Sequence, residues 1–383
     1  VIARVMKWRA HYPLSVVTML PSEDRLLLGP GPSPVSPRVQ AAMTAPPRSH
    51  LDPELVQILD DIRARLSRVL RAPDGSLVLA VSGTGTSAME AAVANLTQPG
   101  TRVLSIVTGY FGDRLATMLA RYGATVERLD VEWGRAIDPE RVRQALASAR
   151  YDLVSIVHAE TSTGVLNPLQ DVAREAAAQD AIVIADTVTS LGALPLDMKA
   201  WQVDVCYSCS QKGLGAPSGL SPLAFSPRAL ERRVASRSFA LDVGLLEDFW
   251  VRRKYHHTIS APLVYALATA LEEVEEEGLE ARWSRHERVH KRLVDGLAPL
   301  GLGLLPPASE RLWNLNAVAV PNGVNEAAVR GCLLSKEGIE IGAGLGPLAG
   351  RVWRIGLMGS GATPQNVDRL VSALPNALDA GRQ

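Results

Sequence analysis

Between residues 76 and 210 the chain alternates apolar, strand-like runs with helical stretches. No other feature restricts its fold as much. The runs are SLVLAVS (76–82), TRVLSIV (101–107), TVERLDV (125–131), DLVSIVHA (152–159), AIVIAD (181–186) and VDVCYSCS (203–210). Between them, TSAMEAAVANL (86–96), DRLATMLARYG (113–123) and PERVRQALAS (139–148) have helical spacing, and Gly123 stops the second. Continuous apolar strands between helices belong in a mainly parallel sheet covered on both faces. The fold class is therefore α/β, with functional groups expected at the C-terminal ends of the strands.

The flanking segments read differently. LLLGPGPSPVSP (26–37) holds too much Gly and Pro for a helix or central strand and is expected as a fixed extended loop. From Pro53 to Leu70 the apolar positions Leu55, Ile58, Leu59, Ile62, Leu66, Val69 and Leu70 predict a helix. After about residue 265 an acidic helix, YALATALEEVEEEG, runs into HERVHKRLVDGLAPLG. A strand at 315–321, a helix at 325–338, a strand at 352–359 and a last helix, PQNVDRLVSALPNAL, predict a smaller C-terminal α+β domain. The expected division is an arm over 1–24, a large domain over 25–275 and a small domain over 276–383. Met19 is expected as the natural start, with 1–18 an upstream extension; an arm that docks on a partner subunit is the competing reading.

Composition excludes several function classes. Lys+Arg and Asp+Glu both number 40, so no basic excess exists to hold nucleic acid or an acidic membrane. The apolar runs are too short and too interrupted for a membrane span. The expected partners are small molecules or protein. Cys206, Cys209 and Cys332 cannot build a disulfide scaffold, which points to a cytoplasmic protein.

Lysine is scarce, with Lys7, Lys199, Lys212, Lys254, Lys291 and Lys336 the whole set. Lys212 alone follows a strand and leads into a small, glycine-rich segment, GLGAPSG, with room for a ligand to approach. A lysine so placed can lose its proton and attack a carbonyl; a solvated loop lysine is the plain alternative. Asp186 ends the preceding apolar strand. A buried carboxylate there requires a cation, such as a pyridinium nitrogen, unless it merely caps a helix. Asp186 and Lys212 are one crossover connection apart, so both should face one crevice. SGTGTSAMEAA (82–92) is a strand end, a Gly-rich turn and a helix start, fit to hold a phosphate. Its G-x-G-x-x-A pattern also suits a dinucleotide, but the next strand, in LSIVTGYFG, lacks the acid that a ribose needs.

These segments together resemble the class V aminotransferases, fold-type I enzymes that use pyridoxal 5'-phosphate. The alanine–glyoxylate / serine–pyruvate aminotransferases are the most similar. The matching blocks are LLLGPGPSPVSPRV, SGTGTSAMEAA, TGYFGDR, HAETSTGVLNPL, IADTVTSLGA, SCSQKGLGAPSGL, YHHTI and VWRIGLMG. The resemblance implies that Lys212 forms the imine with the cofactor and that Asp186 pairs with its pyridine nitrogen. Thr84, Gly85, Thr86 and Gln211 then surround the phosphate, Thr161 stands near the ring oxygen, and Phe111 stacks on the ring where the family usually has Trp. Ser49-His50 stands where Gly-His is common. Arg354 takes the substrate carboxylate, and Tyr255 and Thr258 reach the phosphate of a neighbouring subunit in a homodimer. The implied reaction moves an amino group from alanine or serine to glyoxylate or pyruvate, without a metal. A lyase or desulfurase of the same fold, and more distantly a nicotinamide-dependent dehydrogenase, are the alternatives. A desulfurase would need a loop cysteine, whereas Cys332 is expected within a helix on an apolar face. Cys206 and Cys209 are expected as core residues. Adjacent His256 and His257 are expected to point apart on an extended segment.

Overall fold

A computed structural model describes residues 24–382. The expected arm over 1–24, including the question of Met19, lies outside them apart from Asp24. Seven strands form the main sheet. They are β1 Leu77–Ser82, β2 Arg102–Val107, β3 Thr125–Asp130, β4 Leu153–Val157, β5 Ile182–Asp186, β6 Val205–Tyr207 and β7 Leu220–Phe225. Their order is β3-β2-β4-β5-β6-β7-β1. Strands β2 to β6 pair in parallel, while β7 is antiparallel to both β6 and β1. Two reversals leave β1 pointing the same way as β2 to β6, so the C-terminal ends of these six strands share one edge. Strand β3 is one edge of the sheet and, unlike β1 at the other edge, has no buried residue, which is why TVERLDV carries charge where its neighbours do not.

Strand β7 was not foreseen, and Pro222 within it is the reason. Proline cannot donate to a ladder and argues against a central strand. Its carbonyl accepts from Ser208 N at 2.8 Å, so the missing donor also faces Ser208. That segment has already left the ladder, because the β6–β7 register begins at Tyr207 and Leu223. Pro222 therefore costs no bond of the β6–β7 register. A helix at Val243–Trp250, capped by Asp242, was also unforeseen.

The helix Pro53–Leu70 starts at Asp52, whose side chain accepts from Glu54 N, and stops where Arg71 turns left-handed at φ 49°. It buries Leu55, Leu59, Ile62, Leu66, Val69 and Leu70 against the main core, leaving Ile58 half-buried. Burying each such leucine is worth about 1.5–3 kcal/mol, so this face alone fixes the helix on the sheet. The main core runs from Val39 to Val274.

A second core includes Val289, Leu293, Val318, Trp353, Ile355 and Leu374 around a three-stranded antiparallel sheet. Its strands are β8 Leu315–Ala319, β9 Gly342–Ala343 and β10 Val352–Gly356, in the order β8-β10-β9. Leu28 belongs to this second core, and Leu26–Leu27 pairs in parallel with Ile339–Glu340. The first segment after the arm thus packs on the smaller body and not, as the 25–275 boundary expects, on the larger one. The last helix, Pro364–Arg382, continues through Pro375 beyond its expected end. Among the described residues no helix is long and apolar enough to cross a membrane.

Candidate active site

The shared strand edge carries a pocket lined by Thr84, Gly85, Thr86, Met89, Phe111, Arg114, Val157, Thr161, Asp186, Val188, Gln211 and Lys212. Eight of the expected residues therefore meet in one place. Each follows a strand end: β1 leads to Thr84–Thr86, β2 to Phe111, β4 to Thr161, β5 to Asp186 and β6 to Gln211–Lys212.

Gly83 has φ +144°, and a side chain there would collide with Ser87. Thr84 then occupies the N-cap of the helix Gly85–Ala94 without using its hydroxyl on the helix. The cradle thus keeps free donors at a helix N-terminus, where an anion is favoured. Gln211 adds an amide whose buried oxygen has no partner among the described residues.

Asp186 is 3% exposed and faces no cation at salt-bridge distance among the described residues. Its Oδ1 accepts from Val188 N at 2.9 Å. Burial pushes its carboxyl up to about 7, although that amide opposes the shift. On β6, in register with Asp186, the buried Tyr207 hydroxyl lies against that carboxylate and also opposes the shift. Thr161 Oγ1 pairs with Thr189 Oγ1 at 2.7 Å, which sets its hydroxyl at the pocket wall.

Lys212 extends its amine to Pro30 O, 2.5 Å away. Burial pushes the ammonium pKa down, and the nearby Arg354 charge acts the same way. The Gly/Pro loop at 26–37 is therefore a wall of the site. Ser33 donates its hydroxyl to Lys212 O at 3.0 Å and its amide to Gln211 O at 2.9 Å. Gly31 has φ +116°, and a Cβ there would come within 2.9 Å of Lys212 Cε.

Arg354 lies in mid-β10 and is 7% exposed. Its Nε donates to Ala343 O at 2.6 Å, and it forms no salt bridge among the described residues. Burial lowers its pKa to about 10, against the pull of Glu160. Tyr255 and Thr258 do not line the pocket. Both are exposed, with the Tyr255 ring 5.2 Å from that of His50. His256 and His257 do not point apart as expected, because their Nδ1 atoms lie 2.9 Å from each other. The segment from Val251 is not a strand, so the alternation argument does not apply to it. His257 Nε2 reaches Ser82 Oγ at 2.8 Å, and no group of three potential metal ligands occurs among the described residues.

Two residues of the site were not singled out in the sequence. Glu160 is fully buried and receives Gly112 N at 3.1 Å, Ser162 N at 3.0 Å and Ser162 Oγ at 2.6 Å. It caps the helix that starts at Tyr110, and so sets the position of Phe111. Burial raises its pKa against those donors. Arg114 places its guanidinium 4.9 Å from the Phe111 ring centroid and donates to Thr86 Oγ1 at 3.2 Å. The signal for Glu160 was a carboxylate directly after an apolar strand, the same signal that marked Asp186.

The pocket thus has an anion cradle, an aromatic wall, a deprotonation-prone lysine and a buried carboxylate without a counter-ion. That donor set fits pyridoxal phosphate. The Aminotransferase class-V family matches residues 39–370. The chain belongs to the class V aminotransferases. An alanine–glyoxylate aminotransferase of Drosophila melanogaster is 37% identical over 380 residues, covering 97% of this chain and 96% of its own. An (S)-ureidoglycine–glyoxylate transaminase of Bacillus subtilis is 32% identical, covering 92% and 90%. The crystal structure of an alanine–glyoxylate aminotransferase from Nostoc sp. superposes with a TM-score of 0.92 at 44% identity, covering 94% and 97%. The class V aminotransferase described here has the fold-type I architecture.

The raised pKa of Asp186 has a sign that can be measured without cofactor. The folded apo-enzyme binds this proton more tightly than the unfolded chain. The resulting stabilisation is full below about pH 4 and is lost as pH rises through about 7. In urea unfolding, Asp186→Asn should therefore gain stability relative to wild type across that interval. A constant gap would show that Asp186 is not held protonated.

Proposed function

We propose that this aminotransferase carries an amino group from a small amino acid, alanine or serine, to glyoxylate or pyruvate, with pyridoxal 5'-phosphate as cofactor. The observation that carries this reading is Arg354, a buried guanidinium with no carboxylate partner among the described residues, within the field of Lys212. A buried cation of that kind is stabilised by a bidentate carboxylate. The names of the relatives support glyoxylate as an acceptor.

Bound pyridoxal phosphate supplies a reactive carbonyl carbon and an electron-accepting ring. Thr84, Gly85, Thr86 and Gln211 would hold its phosphate, Phe111 would form the aromatic wall, and Thr161 would offer its hydroxyl to the ring. Asp186 would favour positive charge on the ring. Lys212 Nζ would hold the cofactor and take and return the proton at the substrate Cα. Arg354 orients the substrate by its carboxylate. The desulfurase reading gains nothing from Cys332, which lies on the helix Glu326–Glu337, packs against the second core and does not line the pocket.

The working unit is proposed to be a homodimer with shared sites. Leu51, Phe239, Val251 and Tyr255 are the exposed large hydrophobic residues among those described. Tyr255 and Leu51 line one shallow depression together with Phe249, and Phe239 stacks on His256. Such clustering favours burial against a second copy.

Purified wild type mixed with pyridoxal phosphate should give a visible band that borohydride traps on the protein. Lys212→Ala should abolish the trapped adduct; a variant that is still labelled at the site would remove Lys212 from its role. Arg354→Lys keeps the charge but not the fork, and kcat/KM for amino acids should fall about tenfold to a hundredfold, the scale of a charge-assisted hydrogen bond. Reaction with simple amines should barely change. Equal losses for both substrate kinds would place the carboxylate elsewhere.

Mixing tests the shared site. Lys212→Ala and Thr258→Glu homodimers should each be inactive, the second by repulsion of the phosphate. Refolded together in equal amounts, they should recover roughly a quarter of wild-type activity, from the one intact site of each hybrid dimer. A refolded mixture that forms dimers and remains inactive would show that Thr258 serves its own chain.

A further inference from the structure

The three charges of the site, Asp186, Lys212 and Arg354, are each followed by a loop, and all three loops meet at one cluster of side chains outside the pocket. The cluster sits where the helix Ala261–Glu277 ends and the helix Leu279–Leu297 begins. Arg282, only 5% exposed, donates Nε to Gly192 O at 3.0 Å and Nη2 to Gly213 O at 2.8 Å. Gly192 belongs to the loop after Asp186, and Gly213 directly follows Lys212. The third arm, Nη1, donates to Glu277 Oε2 at 2.6 Å. Arg285 shares that glutamate, donating Nε to Glu277 Oε1 at 2.6 Å. Arg285 Nη1 then donates to Gly359 O at 3.1 Å and Ala362 O at 2.8 Å, both in the segment that follows the strand of Arg354.

The three loops also touch directly. A Cβ on Gly213 would lie 2.3 Å from Leu191 O, so the loop after Asp186 and the turn after Lys212 are in backbone contact. A Cβ on Gly359, at φ +56°, would lie 3.0 Å from Gly215 Cα and 3.4 Å from Lys212 O. Only glycine allows these approaches, and the two arginines bind the carbonyls on either side of them.

We infer that Arg282, Glu277 and Arg285 are positioning residues that set the spacing between the amine of Lys212, the carboxylate of Asp186 and the guanidinium of Arg354. Arg282 is buried while Glu277 and Arg285 are partly exposed, and such a cluster contributes little net stability, since desolvation and solvent screening offset most of its attraction. Its fork geometry instead fixes direction. Each arginine holds two loop carbonyls and the Glu277 carboxylate in one rigid plane, a fixed spread of donors that the compact ammonium of lysine does not reproduce. The roles of the three held residues rest on the proposed function; the convergence of their loops does not.

The test compares Arg282→Lys and Arg285→Lys holoenzymes with a main-core control, Ile62→Val, and with wild type. Lysine keeps the charge and loses the fork. In Arg282→Lys, kcat/KM for L-alanine should fall about tenfold or more, since sub-ångström misplacement of reacting groups is costly. The pH midpoint of the visible band should move by about half a unit, because the field at Lys212 depends on its distances to Asp186 and Arg354. Amide exchange over residues 208–218 should accelerate in the cofactor-free protein, with the rest of the main sheet unchanged. Arg285→Lys, further from Lys212, should raise the KM for amino acids more than it lowers kcat, and it carries the test if Arg282→Lys does not fold. Wild-type values for all three readouts would overturn the inference. So would the same losses in a control matched for thermal stability, which would reduce the cluster to ordinary structure. Failure of wild type to transaminate any donor would remove the proposed function instead, and would leave the exchange and midpoint readouts able to decide the inference.

Discussion

Three buried ionisable groups without counter-ions among the described residues govern this structure. Lys212 stands within the fields of both Asp186 and Arg354, and burial shifts the pKa of each of the three toward its neutral form. Leaving such groups unpaired costs several kcal/mol in total, which a fold tolerates only where ligands supply the missing partners. The costs are distributed sensibly. Asp186 keeps one amide donor, Arg354 keeps one carbonyl, and the lysine amine rests on Pro30 O. Each group is held firmly enough to be aimed, yet retains capacity for cofactor or substrate.

The rigidity behind this comes from close backbone packing. The parallel strands bring five loops to one edge, and glycines let those loops approach more closely than any side chain would permit. Gly109 is one case: a Cβ there would lie 2.5 Å from both Glu160 Cγ and Ser162 Oγ, the two groups that cap the Phe111 helix. Gly83 beside Ser87 is another. The second core enters through β10, which carries Arg354, and through Leu28, which anchors the loop over Lys212. The site therefore exists only when both cores are formed.

Much of this was legible from residue order. Five strand ends already named the edge of the site, because a buried strand must be apolar until it stops, and polar groups that follow it directly are conspicuous. Asp186 after IVIA and Lys212 in a glycine-rich segment stood out for that reason. Glu160 follows an apolar run in the same way, but the hydroxyl residues Thr161, Ser162 and Thr163 directly after it give the segment the look of an ordinary polar turn. Arg114 gave no local signal, since an arginine on a helix face is ordinary until the loop opposite it is placed. Strand β7 was hidden by Pro222, whose harmlessness depends on where β6 ends.

The sequence by itself determined the α/β class, the strand edge, the cradle at Thr84–Thr86 and the Asp186–Lys212 pair, because these follow from local periodicity and from the cost of burying a charge. Tertiary structure alone decided that the Gly/Pro loop closes over Lys212, that Leu28 belongs to the smaller body, and that His256 and His257 turn toward each other. It also decided that three loops far apart in sequence end on Arg282 and Arg285, which share Glu277. Those outcomes depend on contacts between segments separated by tens to hundreds of residues, and local periodicity carries no record of which distant surfaces will meet.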